Sequence, residues 1–172
     1  GSGHMGVSLT KVLISSSVTS IDMYAFKGCS SLESITIPSS VTSIGGYAFE
    51  ECTSLSQIQI HSSISSIEPY TFSKCKNLKE IQIPSTVAVI GKYAFNLCES
   101  ITRINIPSSV KSIGTYAFTC CYALKQMTIP KSVKSIGYYV FVDCSSLGQL
   151  VIPSDLQINM LGIDPKAKII SS

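Results

Sequence analysis

Apolar and polar positions along this chain recur every 23 residues without interruption. All six phenylalanines fall in one column: Phe26, Phe49, Phe72, Phe95, Phe118 and Phe141. Tyr24, Tyr47, Tyr70, Tyr93, Tyr116 and Tyr139 form a second, and Ile21, Ile44, Ile67, Ile90, Ile113 and Ile136 a third. Cys29, Cys52, Cys75, Cys98, Cys121 and Cys144 form a fourth. Pro38, Pro84, Pro107, Pro130 and Pro153 make a fifth, with His61 standing where one proline is missing. As one unit the chain reads L-x-x-I-x-I-P-x-x-V-x-x-I-G-x-Y-A-F-x-x-C-x-x. A single copy has too few apolar positions to close a core. Copies stacked in register bury their columns against one another, which is the logic of a solenoid. The phenylalanines are therefore expected one above another inside the stack, with the tyrosines partly exposed.

Spacing within a unit predicts its local structure. Leu78-x-x-Ile81-x-Ile83 ends in strict alternation, the mark of a short strand with one buried face. Pro84 ends the ladder because it has no N–H to donate. Val87 and Ile90 lead into Gly91, which suits a tight bend. Ala94, Phe95 and Cys98, followed by Ile101, predict one helical or 3-10 turn facing inward. The strands are expected to stack in parallel at about 4.8 Å per repeat.

The pattern also sets the domain organisation. Residues 1–5 read as a cloning scar, and residues 6–172 as a single repeat domain. Within it lie a partial repeat at 9–14, six repeats over about 15–152 and a degenerate cap at 153–172. In the cap Leu156 keeps the Val column, Gly162, Asp164 and Pro165 mark a turn, and Lys168-Ile169-Ile170 reads as a last strand. The chain opens in mid-repeat, so a fragment or trimmed form is expected. The N-terminal end shows no polar cover, and such a strand edge offers a route to a homodimer.

Composition narrows the function. Apolar residues make up 45% of the 172 positions, too many for a disordered chain. Thirteen Lys+Arg against ten Asp+Glu leave a net charge of +3, with no cluster dense enough to track nucleic-acid phosphates. No run of about 18 apolar residues predicts a membrane span. The cysteine column contains no C-x-x-C and no histidine at ligand spacing, so no metal or cofactor is expected. Small buried thiols filling a core column are expected instead, with Cys120, off the column, pointing outward. His61 belongs to no recognisable catalytic motif, and neither a G-x-S-x-G elbow nor a phosphate loop is present, so the chain is read as non-enzymatic. Lys111, Lys131 and Lys134, with Lys125 nearby, make a mildly basic stripe that reads as a solvated flank.

Strand alternation leaves one set of variable positions facing outward. They include Gln57, Gln59, Glu80, Gln82, Arg103, Asn105, Gln126 and Thr128, flanked by Glu33, Lys79, Thr102 and Lys125. This strip is rich in amides and hydroxyls and is the candidate partner-binding surface for a protein or glycan. Arg103 is the sole arginine of the chain, and its planar fork suits a carboxylate. The strip lacks the aromatic anchors of tight interfaces, so modest affinity is expected.

The stretch Ile104-Asn105-Ile106-Pro107-Ser108-Ser109-Val110-Lys111-Ser112-Ile113-Gly114-Thr115-Tyr116-Ala117-Phe118, followed by Cys121 and Leu124, resembles the BspA-type, or Treponema pallidum-type, leucine-rich repeat. The resemblance covers roughly residues 9 to 153. Asp22 departs from the usual Gly, and His61, Glu68 and Thr71 depart from Pro, Gly and Ala. The resemblance implies a right-handed leucine-rich-repeat superhelix, with a parallel β-sheet on its concave face and short helical or 3-10 turns on its convex face. It also implies the binding region of a cell-surface or secreted adhesin or antigen, contacting host or microbial proteins or glycans. A cytoplasmic leucine-rich-repeat scaffold or regulator is the alternative. That association rests on fold-level analogy.

Overall fold

The computed structural model describes residues 9–158 and 160–172; the expected cloning scar lies outside them. In chain order the strands are β1 (Lys11–Val12), β2 (Ser20–Ile21), β3 (Ser34–Ile37), β4 (Ser43–Ile44), β5 (Gln57–Ile60), β6 (Ser66–Ile67) and β7 (Glu80–Ile81). They continue as β8 (Val89–Ile90), β9 (Ser112–Ile113), β10 (Gln126–Thr128), β11 (Ser135–Ile136), β12 (Gln149–Ile152) and β13 (Lys168–Ser171). Every pairing is parallel, and those between full repeats join residues 23 apart, such as Gln57 with Glu80 and Ile58 with Ile81. The chain is a parallel β-solenoid of about 7 coils.

Each coil carries two strand positions rather than one. The anticipated strand follows the Leu column. A second, two-residue strand is formed at the Ser-Ile pair before the Gly column, where the sequence suggested only a bend. β6, β8, β9 and β11 form one such ladder, and β2 and β4 another.

The expected helical or 3-10 turn is not formed; no helix occurs among the described residues. The reason lies in the alternation of backbone bonds. In the second coil the N–H groups of Ala48, Glu50 and Cys52 donate locally, to the carbonyls of Gly45, Tyr47 and Phe49. Those of Tyr47, Phe49 and Glu51 donate instead to Pro69, Thr71 and Ser73 of the next coil, at 3.1, 3.0 and 2.9 Å. A helix keeps every N–H within its own chain segment, whereas here every second one crosses to a neighbour. The crossing requires left-handed backbone. Tyr47 and Glu51 have φ of 62° and 61°, and the same two columns are left-handed in every full repeat. A left-handed non-glycine residue costs roughly 1–2 kcal/mol. The inter-coil bonds and the ring stack offset that cost.

The core is the set of repeated columns. The phenylalanine rings stack with centroids 5.3–5.9 Å apart and interplanar angles of 2–15°. Phe49, Phe72, Phe95, Phe118 and Phe141 are fully buried. The half-exposed tyrosines stack beside them at 4.6–5.5 Å.

The Gly column is required by close approach. A Cβ on Gly91 would lie 2.6 Å from the backbone nitrogen of Pro69 in the preceding coil. Asp22 stands in the first described coil, with no described coil before it. Glu68 stands over Gly46, where an added Cβ would lie 4.0 Å from the Glu68 Cβ. Gly45, Gly91, Gly114 and Gly137 each donate to the isoleucine carbonyl of the preceding coil, whereas Glu68 makes no such bond. The short-strand ladder accordingly breaks between β4 and β6. Thr71, the other departure, is buried and donates its hydroxyl to the Glu68 carbonyl at 2.7 Å.

The last coil is shortened. β13 pairs with β12 in the register Gln149↔Lys168. Leu156 and Leu161 close the apolar interior, and the N–H of Phe141 donates to Leu161 at 2.9 Å.

Candidate functional site

Strands β3, β5 and β10 turn alternate residues inward and leave the intervening ones in solvent. In β3 the pattern is exposed, buried, exposed, buried over Ser34–Ile37. The same alternation exposes all eight predicted partner-binding residues: Gln57, Gln59, Glu80, Gln82, Arg103, Asn105, Gln126 and Thr128. The first six line a single open concavity of about 690 Å³, together with His61. Gln126 and Thr128 stand outside that lining and outside the neighbouring concavity. The latter, also about 690 Å³, is lined by Lys79, Glu80, Ser100, Thr102, Arg103 and Lys125. Glu80 and Arg103 belong to both.

These hollows lie where the long-strand sheet is interrupted. β1, β3, β5 and β7 form one sheet, and β10, β12 and β13 another. Residues 103–106, between them, belong to no strand. None of their backbone N–H or carbonyl groups makes a hydrogen bond within the described structure. The side chains of Ile104 and Ile106 nevertheless remain buried. Behind this opening the coils stay joined. Tyr93, Phe95 and Leu97 donate to Thr115, Ala117 and Thr119 at 3.1, 2.8 and 2.8 Å, and β8 pairs with β9. Ile81 is half-buried where Ile35, Ile58 and Ile104 of the same column are buried.

Electrostatically the second hollow is basic. Lys79, Arg103 and Lys125 face one carboxylate, Glu80. The ion pairs among the described residues are Lys27 with Glu50, Lys74 with Glu51 and Lys134 with Asp155. Among the described residues the three cations of the hollow therefore make no ion pair. In the basic stripe of the C-terminal half, by contrast, Lys134 lies 3.2 Å from Asp155.

His61 was legible only as a turn residue, yet it lines the first hollow. Its N–H, absent from the prolines of its column, donates to Ile37 at 2.9 Å and lengthens the ladder by one bond. The cysteine column is a structural feature. The thiols of Cys52, Cys75, Cys98, Cys121 and Cys144 each donate to the phenylalanine carbonyl of an earlier coil, at 3.1–3.3 Å. Burial pushes the Cys52 thiol up to about 12 and that of Cys75 well above the ordinary thiol value. Such groups stay protonated at neutral pH and are poor nucleophiles. Cys120 is only half-buried, with Asp143 3.9 Å from its sulfur. No helix among the described residues is long and apolar enough to cross a membrane.

The chain is similar to solved bacterial repeat structures. With a leucine-rich repeat protein from Bacteroides ovatus it shares 27% identity at a TM-score of 0.85, over 96% of this chain and 43% of the other. With the T. pallidum leucine rich repeat protein it shares 30% identity at a TM-score of 0.55, over 83% of this chain and 58% of the other. A leucine rich cell surface protein from Faecalibacterium prausnitzii has the same fold, with 24% identity and a TM-score of 0.60 over 99% of this chain and 62% of the other. The chain thus spans 43–62% of the length of these structures. No curated protein matches it. The BspA type leucine rich repeat region matches residues 4–121 and 75–160, in six copies. With its 23-residue columns, parallel ladders and stacked phenylalanines, the chain belongs to the BspA-type leucine-rich repeat family.

Proposed function

We propose that this chain is a non-enzymatic protein-binding module, the repeat region of a cell-surface or secreted protein that meets its partner on the open face of the long-strand sheet. The observation that carries the reading is the division of labour within each coil. Repeated columns are enclosed and apolar, whereas the variable strand positions stand exposed over shallow, polar hollows. A rigid stack holds amides and charges at coil-by-coil intervals, so little ordering entropy opposes binding. The surface placement rests on what is associated with the family rather than on a signal within these residues.

The test is a selection of partners from a displayed library of extracellular protein domains, followed by substitution on two faces. Gln82→Trp, on the open face, is expected to weaken a selected partner at least tenfold. Lys92→Trp, on the turn side, is expected to leave it unchanged. Partners indifferent to Gln82→Trp and Gln59→Trp, or lost with Lys92→Trp, would overturn the reading.

A further inference from the structure

We propose that the opening at residues 103–106 is a carboxylate-reading subsite for an acidic peptide segment of the protein partner. The inference rests on the reading of the open face as the binding surface and adds the chemistry of what it binds. Two independent features meet there.

The first is charge. Lys79 and Lys125 occupy one column, two coils apart, with Thr102 between them and Arg103 beside it. Three cations against one carboxylate gather around a single hollow, in a chain whose formal net charge is only +3. None of the three is within ion-pair distance of a carboxylate among the described residues. A guanidinium flanked by two ammonium groups fits a carboxylate, which it holds by paired N–H donors.

The second is main chain. Ile58 and Ile104 line the first hollow although both residues are buried. At residues 103–106 the backbone groups carry no hydrogen bonds among the described residues. Unbonded N–H and carbonyl groups beside the amides of Gln57, Gln59, Gln82 and Asn105 match the alternating donors and acceptors of a peptide backbone. Glu80 sits between the two hollows and disfavours an unbroken polyanion. The favoured ligand therefore has a carboxylate or two set among neutral residues.

The experiment is an NMR titration of the isotopically labelled chain with two Gly/Ser octapeptides, one carrying two aspartates and the other two asparagines at the same positions. The aspartate peptide is expected to shift the amides of Lys79, Arg103, Ile104 and Lys125, and the asparagine peptide to bind at least tenfold more weakly. Arg103→Gln, or 0.5 M salt (an ionic strength that shortens electrostatic reach to about 4 Å), should reduce the aspartate response at least tenfold. Glu80→Gln should tighten it several-fold. Melting curves check that each variant folds, as expected for exposed positions. Equal response to both peptides, shifts mapping elsewhere, or indifference to Arg103→Gln would overturn the proposal. So would saturation of this surface by a sulfated oligosaccharide with no response to the aspartate peptide. The two readings fail separately. A displayed partner lost with Gln82→Trp but untouched by Arg103→Gln and by salt would remove the carboxylate subsite and keep the binding module. A full aspartate response from a chain whose selected partners ignore the open face would do the reverse.

Discussion

The turn side and the strand side of each coil solve the same stacking problem differently. On the turn side, inter-coil bonds run unbroken from Tyr24, which donates to Gly46, to Phe141, which donates to Leu161. On the strand side the ladders break twice, between β4 and β6 and again at residues 103–106. The turn side is built from recurring columns and tolerates two left-handed residues per repeat to keep its bonds. The strand side carries the variable residues. Adhesion between coils thus resides mainly in the Tyr-Ala-Phe-x-x-Cys segments, which frees the opposite face to vary and to open.

The largest expected effect comes from emptying the turn-side core. Phe95→Ala removes a fully buried ring stacked at 5.5 and 5.4 Å on Phe72 and Phe118, and should cost about 3–5 kcal/mol in denaturant unfolding. An unchanged midpoint would mean that the stack is not what holds adjacent coils.

Alkaline pH should attack the same side. The folded-state value of Cys52, about 12, lies above the ordinary thiol value of 9.0. The folded chain therefore retains a proton that the unfolded chain releases. The stability this contributes is complete below pH 9 and falls by about 1.4 kcal/mol per unit as pH rises toward 12. Melting temperature should decline over that window, and less steeply in Cys52→Ala. Identical slopes would contradict the burial argument.

A smaller effect of opposite sign is expected at the first break. Glu68→Gly removes the Cβ from the crowded column and allows residue 68 to donate to Ile44, as Gly91 does to Ile67 at 2.8 Å. A regained bond is worth about 1 kcal/mol, against roughly 0.5–1 kcal/mol for the added freedom of glycine when unfolded. Thermal melting should show a gain of a few tenths to about 1 kcal/mol if other short-ladder bonds return with it. A loss would mean that the Ser66 hydroxyl, which donates to the Glu68 carboxylate at 2.6 Å, matters more than the ladder.

Most of the turn-side architecture was legible in the residues. Phenylalanine, tyrosine and cysteine at a fixed period demand stacked environments, and burial followed. The helical turn was misread because Ala94, Phe95 and Cys98 satisfy a helical spacing as well as they satisfy two consecutive turns. The left-handed φ of Tyr93 and Leu97 leaves no compositional mark when the residue is not glycine. The second ladder was hidden because two residues are too few to display alternation. Glu68 did signal the first break, through its departure from the Gly column. The opening at residues 103–106 had no such signal, since Arg103-Ile104-Asn105-Ile106 alternates just as Gln57-Ile58-Gln59-Ile60 does in the intact ladder. The outward set of eight was readable from alternation alone, whereas the grouping of six of them around one hollow depends on where the sheet parts.

Native-state hydrogen exchange tests the contrast between the two sides most directly. The amides of Tyr93, Phe95 and Leu97, bonded to the next coil, should exchange only on global unfolding. Those of Ile104 and Ile106, a few residues on but without partners, should exchange orders of magnitude faster, and faster than Ile58 in the intact ladder. Protection of Ile104 and Ile106 equal to that of Ile58 would mean that the sheet is continuous and the open face does not part.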